Sequence, residues 1–90
     1  MSESYSVLIK PAAWKQIMAF DARLQNRVFD ALETLEGEPR PARAKKLQGN
    51  EELYRVRVGD YRIVYEVRDA VLIVVIVEVG NRSDVYKKKR

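Results

Sequence analysis

Arg55, Arg57 and Arg62 are the side chains whose type and spacing most directly suggest chemistry. They fall within residues 53–65, LYRVRVGDYRIVY, where two runs rich in valine, isoleucine and tyrosine flank Gly59-Asp60. Runs of this kind around a glycine-containing two-residue break predict a β-hairpin. With Gly59 and Asp60 as the loop, Val58 faces Tyr61, Arg57 faces Arg62, Val56 faces Ile63, Arg55 faces Val64 and Tyr54 faces Tyr65. Side chains alternate between faces along a strand. The three arginines therefore share one face, and Tyr54, Val56, Val58, Tyr61, Ile63 and Tyr65 share the other, a candidate core. Like charges directly opposite in a sheet are destabilising. Three guanidinium groups set together imply an anion to meet there.

Arg82 and Tyr86 follow the next apolar run and could approach the same face. Arginine forks bind phosphate oxygens bidentately and stay charged at any working pH. Four of them around one phosphate could neutralise a phosphorane-like transition state. Tyr86 is the one side chain near this group with a plausible titratable role. An unperturbed tyrosine has a pKa of about 10, and neighbouring positive charge lowers it by favouring phenolate. Such a tyrosine could accept a proton from a ribose 2′-hydroxyl, or stack on a base. The alternatives are plain: arginines on a solvated sheet face, a tyrosine that packs, and a terminal KKKR that is simply solvated. Glu66 and Glu78 could be counter-ions for the arginines or, less naturally, catalytic carboxylates.

Composition narrows the chemistry further. The chain has no histidine and no cysteine. It therefore lacks the commonest general base and metal ligand, and any thiolate or disulfide chemistry. No Walker loop, dinucleotide fingerprint or metal-ligand cluster occurs, so neither a cofactor nor a metal is expected. The formal net charge of +4 is uneven: residues 1–42 carry 5 basic and 6 acidic side chains, residues 43–90 carry 12 and 7. A basic excess that travels with the hairpin suits a nucleic acid or an acidic protein partner, or serves solubility alone. The polar start is unlike a signal peptide. The longest apolar stretch, residues 70–77, is eight residues long, too short to span a bilayer. A cytoplasmic protein with no membrane contact is expected.

Ninety residues fit one domain. Residues 5–9 read as a short strand. Pro11 suits the first position of a helix carrying Trp14, Ile17 and Met18. Asp21 reads as the N-cap of a second helix, in which Leu24, Val28, Ala31, Leu32 and Leu35 form an apolar stripe. Gly37 and Pro39 end it. Residues 38–52 show no periodicity and read as a surface loop, whose Lys45 and Lys46 could touch a nucleic-acid backbone. After the hairpin, a turn at residues 68–70 leads into residues 71–79, VLIVVIVEV, apolar on both faces as in a central strand. Gly80-Asn81 ends it. The predicted class is α+β: a mostly antiparallel four-stranded sheet with two N-terminal helices on one face, in the order β-α-α-β-β-β. The helices cover the tyrosine and valine face, and the arginine face is left open.

The passages KKLQGNEELYRVRVGDYRIVYEV and VLIVVIVEVGNRSDVY resemble the RelE/ParE superfamily of bacterial and archaeal toxins, most closely its RelE branch. The resemblance covers nearly the whole chain and implies one RelE-like toxin domain over residues 1–90. RelE-like toxins are ribosome-dependent endoribonucleases that cut mRNA in the A site, with the ribose 2′-hydroxyl as nucleophile and no metal. The resemblance thus implies an mRNA interferase that inhibits translation. Its partners would be the 70S ribosome, contacted at 16S rRNA through the basic surface, mRNA, and a cognate RelB-like antitoxin. The family's basic strand positions fall on Arg55 and Arg57, its hairpin arginine on Arg62, its arginine after the central strand on Arg82 and its tyrosine near the C-terminus on Tyr86. Arg62, Arg82 and Tyr86 would be catalytic. Arg55, Arg57, Lys45, Lys46, Lys87 and Lys88 would bind phosphate. The best-known members have lysine at the two strand positions. Arginine is locked in its protonated form, which shifts proton transfer towards Tyr86. The hairpin loop is also shorter here, and any C-terminal helix after Tyr86 would be very short or absent.

Two other functions fit the same pattern. One is a ParE-like inhibitor of DNA gyrase, a protein-binding poison with no need for Arg62, Arg82 and Tyr86 to converge. The other is a non-catalytic RNA-binding or antitoxin-like module. Fold similarity alone does not choose among them.

Overall fold

The structure is a computed structural model and describes residues 4–47 and 52–81. Strand β1, Ser6–Ile9, runs into helix α1, Pro11–Met18. Pro11 occupies the first helical turn, where its missing N–H would have had no intrahelical acceptor and its fixed φ suits the helix. Ala13 and Ile17 are the buried residues of α1. Trp14 and Met18, expected on the same stripe, are 46% and 42% exposed, although Trp14 lies 6.3 Å from the Phe29 ring. Helix α2 is Ala22–Gly37, and the Asp21 carboxylate accepts from the Leu24 amide at 2.9 Å. This N-cap satisfies one of the first turn's orphan donors. Val28, Ala31, Leu32 and Leu35 are its buried stripe, as expected. The Gln25 side chain donates to the carbonyls of Ile17 and Phe20, both at 3.2 Å, which ties the end of α1 to the start of α2.

The remaining strands are β2, Lys45–Lys46, β3, Leu53–Val58, β4, Tyr61–Arg68, and β5, Ile73–Asn81. They form one sheet in the order β1-β5-β4-β3-β2, antiparallel except for the β1–β5 pair. The α+β class and the two helices on one face are as expected. The sheet has five strands rather than four, because the aperiodic stretch contributes β2. Its two exposed residues pair with Arg55 and Tyr54. A pair of exposed lysines has no alternation to signal, so only the neighbouring edge of β3 makes them a strand.

The hairpin register is the expected one, from Val58 opposite Tyr61 to Tyr54 opposite Tyr65. Gly59 takes φ 60, the left-handed conformation that a tight turn needs and that glycine adopts without strain. The next turn differs from expectation. Asp69–Val71 is a single 3₁₀ turn, followed by Leu72 at φ 56. Val71 is therefore outside β5 and 60% exposed. The strand starts later and runs through Gly80 to Asn81. It has hydrogen-bonded neighbours on both sides, as expected, although β4 is the middle strand. Between Val64 and Tyr65 the partner shifts from Glu78 to Ile76, so Val77 is the extra residue of a bulge. The bulge lets Val74, Ile76 and Val79 all enter the core.

The helices cover one face of the sheet. Ile17, Val28 and Leu35 meet Val56, Ile63, Tyr65, Val74, Ile76 and Val79 there. A fully buried side chain such as Leu35 contributes roughly 1.5–3 kcal/mol by leaving water. Tyr65 is fully buried, and its hydroxyl donates to the Pro39 carbonyl at 2.8 Å. That bond removes the cost of an unpaired buried hydroxyl and anchors the exit of α2. The opposite face is not uniformly open. Arg57 is exposed and Arg55 half-buried, but Arg62 is only 5% exposed. Arg62 sits on the middle strand, flanked by Arg57 on β3 and Gly80 on β5.

Candidate functional site

β3 and β4 place the three hairpin arginines. Arg57 and Arg62 are opposite one another, with Cα atoms roughly 5 Å apart as in any antiparallel pair. Arg55 lies two residues along β3, about 7 Å from Arg57 at strand rise. β2 adds to the set: Lys45 stands opposite Arg55, while Lys46 stands opposite Tyr54. Directly opposed residues share a face, so Lys45 joins the arginine face and Lys46 belongs to the other. Across β4, the row Lys45, Arg55, Val64, Glu78 brings one carboxylate onto the arginine side. Glu66 is committed elsewhere, to Arg68 at 3.2 Å.

These positions are rigid because each lies within a hydrogen-bonded ladder whose other face is core. Such a constellation is able to bind and polarise an anion. It cannot move a proton by itself, since guanidinium does not release one at working pH. Arg82, Tyr86, Lys87 and Lys88 lie outside the described residues. Asn81, the residue before Arg82, pairs with Tyr61, so β5 ends beside the hairpin turn, at the Arg57–Arg62 end of the sheet.

Two positioning features carried no sequence signal. The Gln16 side-chain oxygen accepts from the Val79 amide at 2.7 Å. β1 pairs with β5 only as far as Ile76, so Gln16 of α1 takes over where that strand stops. It thereby secures the end of β5. At the opposite end of the sheet, Arg40 donates to both oxygens of Asp69, at 3.1 and 2.7 Å, and through Nε to the Tyr54 hydroxyl at 2.9 Å. Its guanidinium lies 5.3 Å from the Tyr54 ring centroid, and Tyr54 stacks on Tyr65 at 5.9 Å. The Tyr5 hydroxyl donates to Asp69 at 2.7 Å. The Arg40 fork, then the Tyr5 hydroxyl, hold the Asp69 carboxyl down to about 2. The same hydrogen bond to Asp69 raises the Tyr5 hydroxyl above its ordinary value. Burial pushes the Tyr65 hydroxyl up to about 12. These contacts fasten the loop before β2, and so fix where Lys45 meets Arg55. Partners 29 and 64 residues apart leave no local pattern to read.

Comparison with known proteins bears on this arrangement. The family described as "ParE toxin of type II toxin-antitoxin system, parDE" matches residues 7–86. A relative from Methanocaldococcus jannaschii, named as toxin RelE1, is 36% identical over 61 residues, which span 64% of this chain and 68% of the relative. RelE from Pyrococcus horikoshii, solved in complex with RelB, superposes with a TM-score of 0.79 at 30% identity, over 88% of this chain and 96% of that one. The isolated Escherichia coli RelE toxin superposes at 0.78 with 26% identity, over 96% and 95%. A toxin–antitoxin complex from Mycobacterium tuberculosis, RelBE2, matches at 0.77 with 27% identity, over 88% of this chain and 99% of the matched chain.

Proposed function

The chain belongs to the RelE/ParE superfamily of type II toxins, on its RelE branch, and on that premise we propose that it is a ribosome-dependent, metal-independent endoribonuclease. It is the toxin of a RelE-type toxin–antitoxin system. The proposed act is cleavage of mRNA in the ribosomal A site. The observation that carries the reading is the Arg57–Arg62 pair, two cations directly opposed on rigid strands at the end of the sheet where β5 hands the chain to Arg82.

In this mechanism Arg62 and Arg82 clamp the scissile phosphate. They stabilise the charge that develops as the ribose 2′-oxygen attacks phosphorus and the bond to the 5′-oxygen breaks. Tyr86 removes the 2′-hydroxyl proton, and Arg55 and Arg57 favour its phenolate while holding the RNA backbone. Arg82 stabilises the charge on the leaving 5′-oxygen, which takes its proton from water. Lys45, Lys87 and Lys88 add backbone and 16S rRNA contacts, while Lys46, on the other face, is left to 16S rRNA alone. The absence of histidine and cysteine from the chain supports a mechanism built on arginine and tyrosine. A single toxin domain over residues 1–90 acts in the cytoplasm, held inactive by a RelB-like antitoxin, as RelB-type partners accompany the matched RelE chains. Among the described residues, no helix is long and apolar enough to cross a membrane.

The test is cleavage of mRNA on programmed ribosomes. Arg62→Ala and Tyr86→Phe should each cut far more slowly than the wild type, with melting curves showing that both fold. Wild-type rates in either variant would refute its assigned role. A second reading, inhibition of DNA gyrase, is favoured by the ParE description of the matching family. Inhibited supercoiling with no RNA cleavage would establish it instead.

A further inference from the structure

A cleft of about 270 Å³ opens between α2, the approach to β2 and the hairpin turn. Arg27, Arg43 and Arg57 line it, one from each of three separate elements. Asp30 is the one carboxylate there. None of the three arginines makes a hydrogen bond or ion pair among the described residues. The contrast with the cleft beside Arg40 is sharp. That cleft, about 480 Å³, sets Arg40 and Arg68 among the carboxylates of Asp69, Glu66 and Glu52, with Arg40 paired to Asp69 and Arg68 to Glu66. It is neutralised from within.

The three-arginine cleft is also a built feature. Arg27 leans over the hairpin turn, where a Cβ on Gly59 would come within 3.3 Å of its Nη1. Glycine gives the left-handed backbone there, at φ 60, without strain and lets that guanidinium pack against the turn without shifting. Arginines lining a cleft from three separate elements suit the several oxygens of a phosphate. A carboxylate is already satisfied by one planar fork. Arg57 lines this cleft and also stands opposite Arg62, so the two basic zones share a residue.

We infer that this cleft holds a backbone phosphate of the RNA, next along the strand from the scissile one, with Arg27 and Arg43 as the residues that bind it. The inference rests on the nuclease reading above and adds a second phosphate site to it.

The experiment is binding of a short, uncleavable 2′-O-methyl RNA, followed by fluorescence anisotropy across a salt series. Arg27→Ala/Arg43→Ala should weaken binding tenfold or more, roughly the worth of one charge-assisted contact. Its slope of log K against log salt should be shallower by about 0.7, the loss of one phosphate contact on a single strand. Asp30→Asn should tighten binding by removing the one repulsive charge. Lys10→Ala/Lys15→Ala, on α1 and outside the cleft, removes the same charge and should have a much smaller effect. An equal effect in that control, or no effect of Arg27→Ala/Arg43→Ala, overturns the cleft assignment alone. A wild type that does not bind the RNA also overturns the cleft assignment, whereas the nuclease reading falls separately, if the wild type fails to cut mRNA on programmed ribosomes. Loss of poly-glutamate binding with RNA binding retained overturns the assignment in favour of an acidic protein partner.

Discussion

Replacing Gln16 by leucine should uncouple the end of β5 from α1. Gln16 Oε1 accepts the Val79 amide proton at 2.7 Å, and Val79 is fully buried. Leucine fills similar volume but offers no acceptor, and β1 stops pairing with β5 at Ile76. The Val79 N–H is then left buried and unsatisfied, a cost of about 1–3 kcal/mol. A domain of this size loses about 4–8 °C of Tm per kcal/mol, so Gln16→Leu should melt roughly 5–20 °C below the wild type. Amide hydrogen exchange locates the damage: Val79 should lose protection while Tyr65 and Ile63, inside the β3–β4–β5 ladders, keep theirs. Gln16→Glu retains an acceptor oxygen and should recover most of the loss. Under the proposed mechanism, whose Arg82 and Tyr86 follow β5 in the sequence, Gln16→Leu should also lower the rate of mRNA cleavage at saturating ribosome more than it weakens ribosome binding. A Tm within about 2 °C of wild type with Val79 still protected would refute the reasoning.

Three further outcomes follow from the same geometry. Tyr65→Phe orphans the Pro39 carbonyl and should cost about 1–2 kcal/mol in urea unfolding. The Tyr65 hydroxyl is raised to about 12 from an ordinary value near 10. Its contribution is therefore complete below about pH 10 and lost as pH rises through about 12, and Tyr65→Phe should show a shallower alkaline decline in stability. Asp69, held down to about 2, works in the opposite direction. Its contribution is complete above the unfolded value near 4 and lost as pH falls through about 2, so the Tm gap between wild type and Asp69→Asn should close on acidification. The site is exposed, so that gap should be small and shrink with salt. Gly59→Ala puts a side chain at φ 60 and against Arg27; it should cost roughly 1–2 kcal/mol of stability and weaken RNA binding together with it.

The hairpin was legible because two constraints coincide. A glycine-containing two-residue turn sets the register, and alternation then assigns every side chain to a face, so Arg57 opposite Arg62 could be read before any coordinates. The Asp21 cap and the α2 stripe were legible for the same kind of reason: each depends on neighbours within a turn or two of chain. What escaped was non-local. β2 is two exposed lysines that become a strand only against Arg55 and Tyr54. The Val77 bulge lies in a run so uniformly apolar that no alternation marks the slip. Arg62 looks from its spacing like any outward arginine, and its burial comes from its place on the middle strand.

The sequence by itself therefore determined the class of fold, the hairpin register and the presence of a basic face suited to phosphate, because those follow from periodicity, turn chemistry and charge. Only the tertiary structure decided which cations stand together and which are neutralised. Arg40 and Arg68 are paired with carboxylates, while Arg27, Arg43 and Arg57 line one cleft from three elements. The physical reason is that charge pairing depends on distances of a few ångströms between side chains far apart in the chain, and packing the helices on the sheet sets those distances.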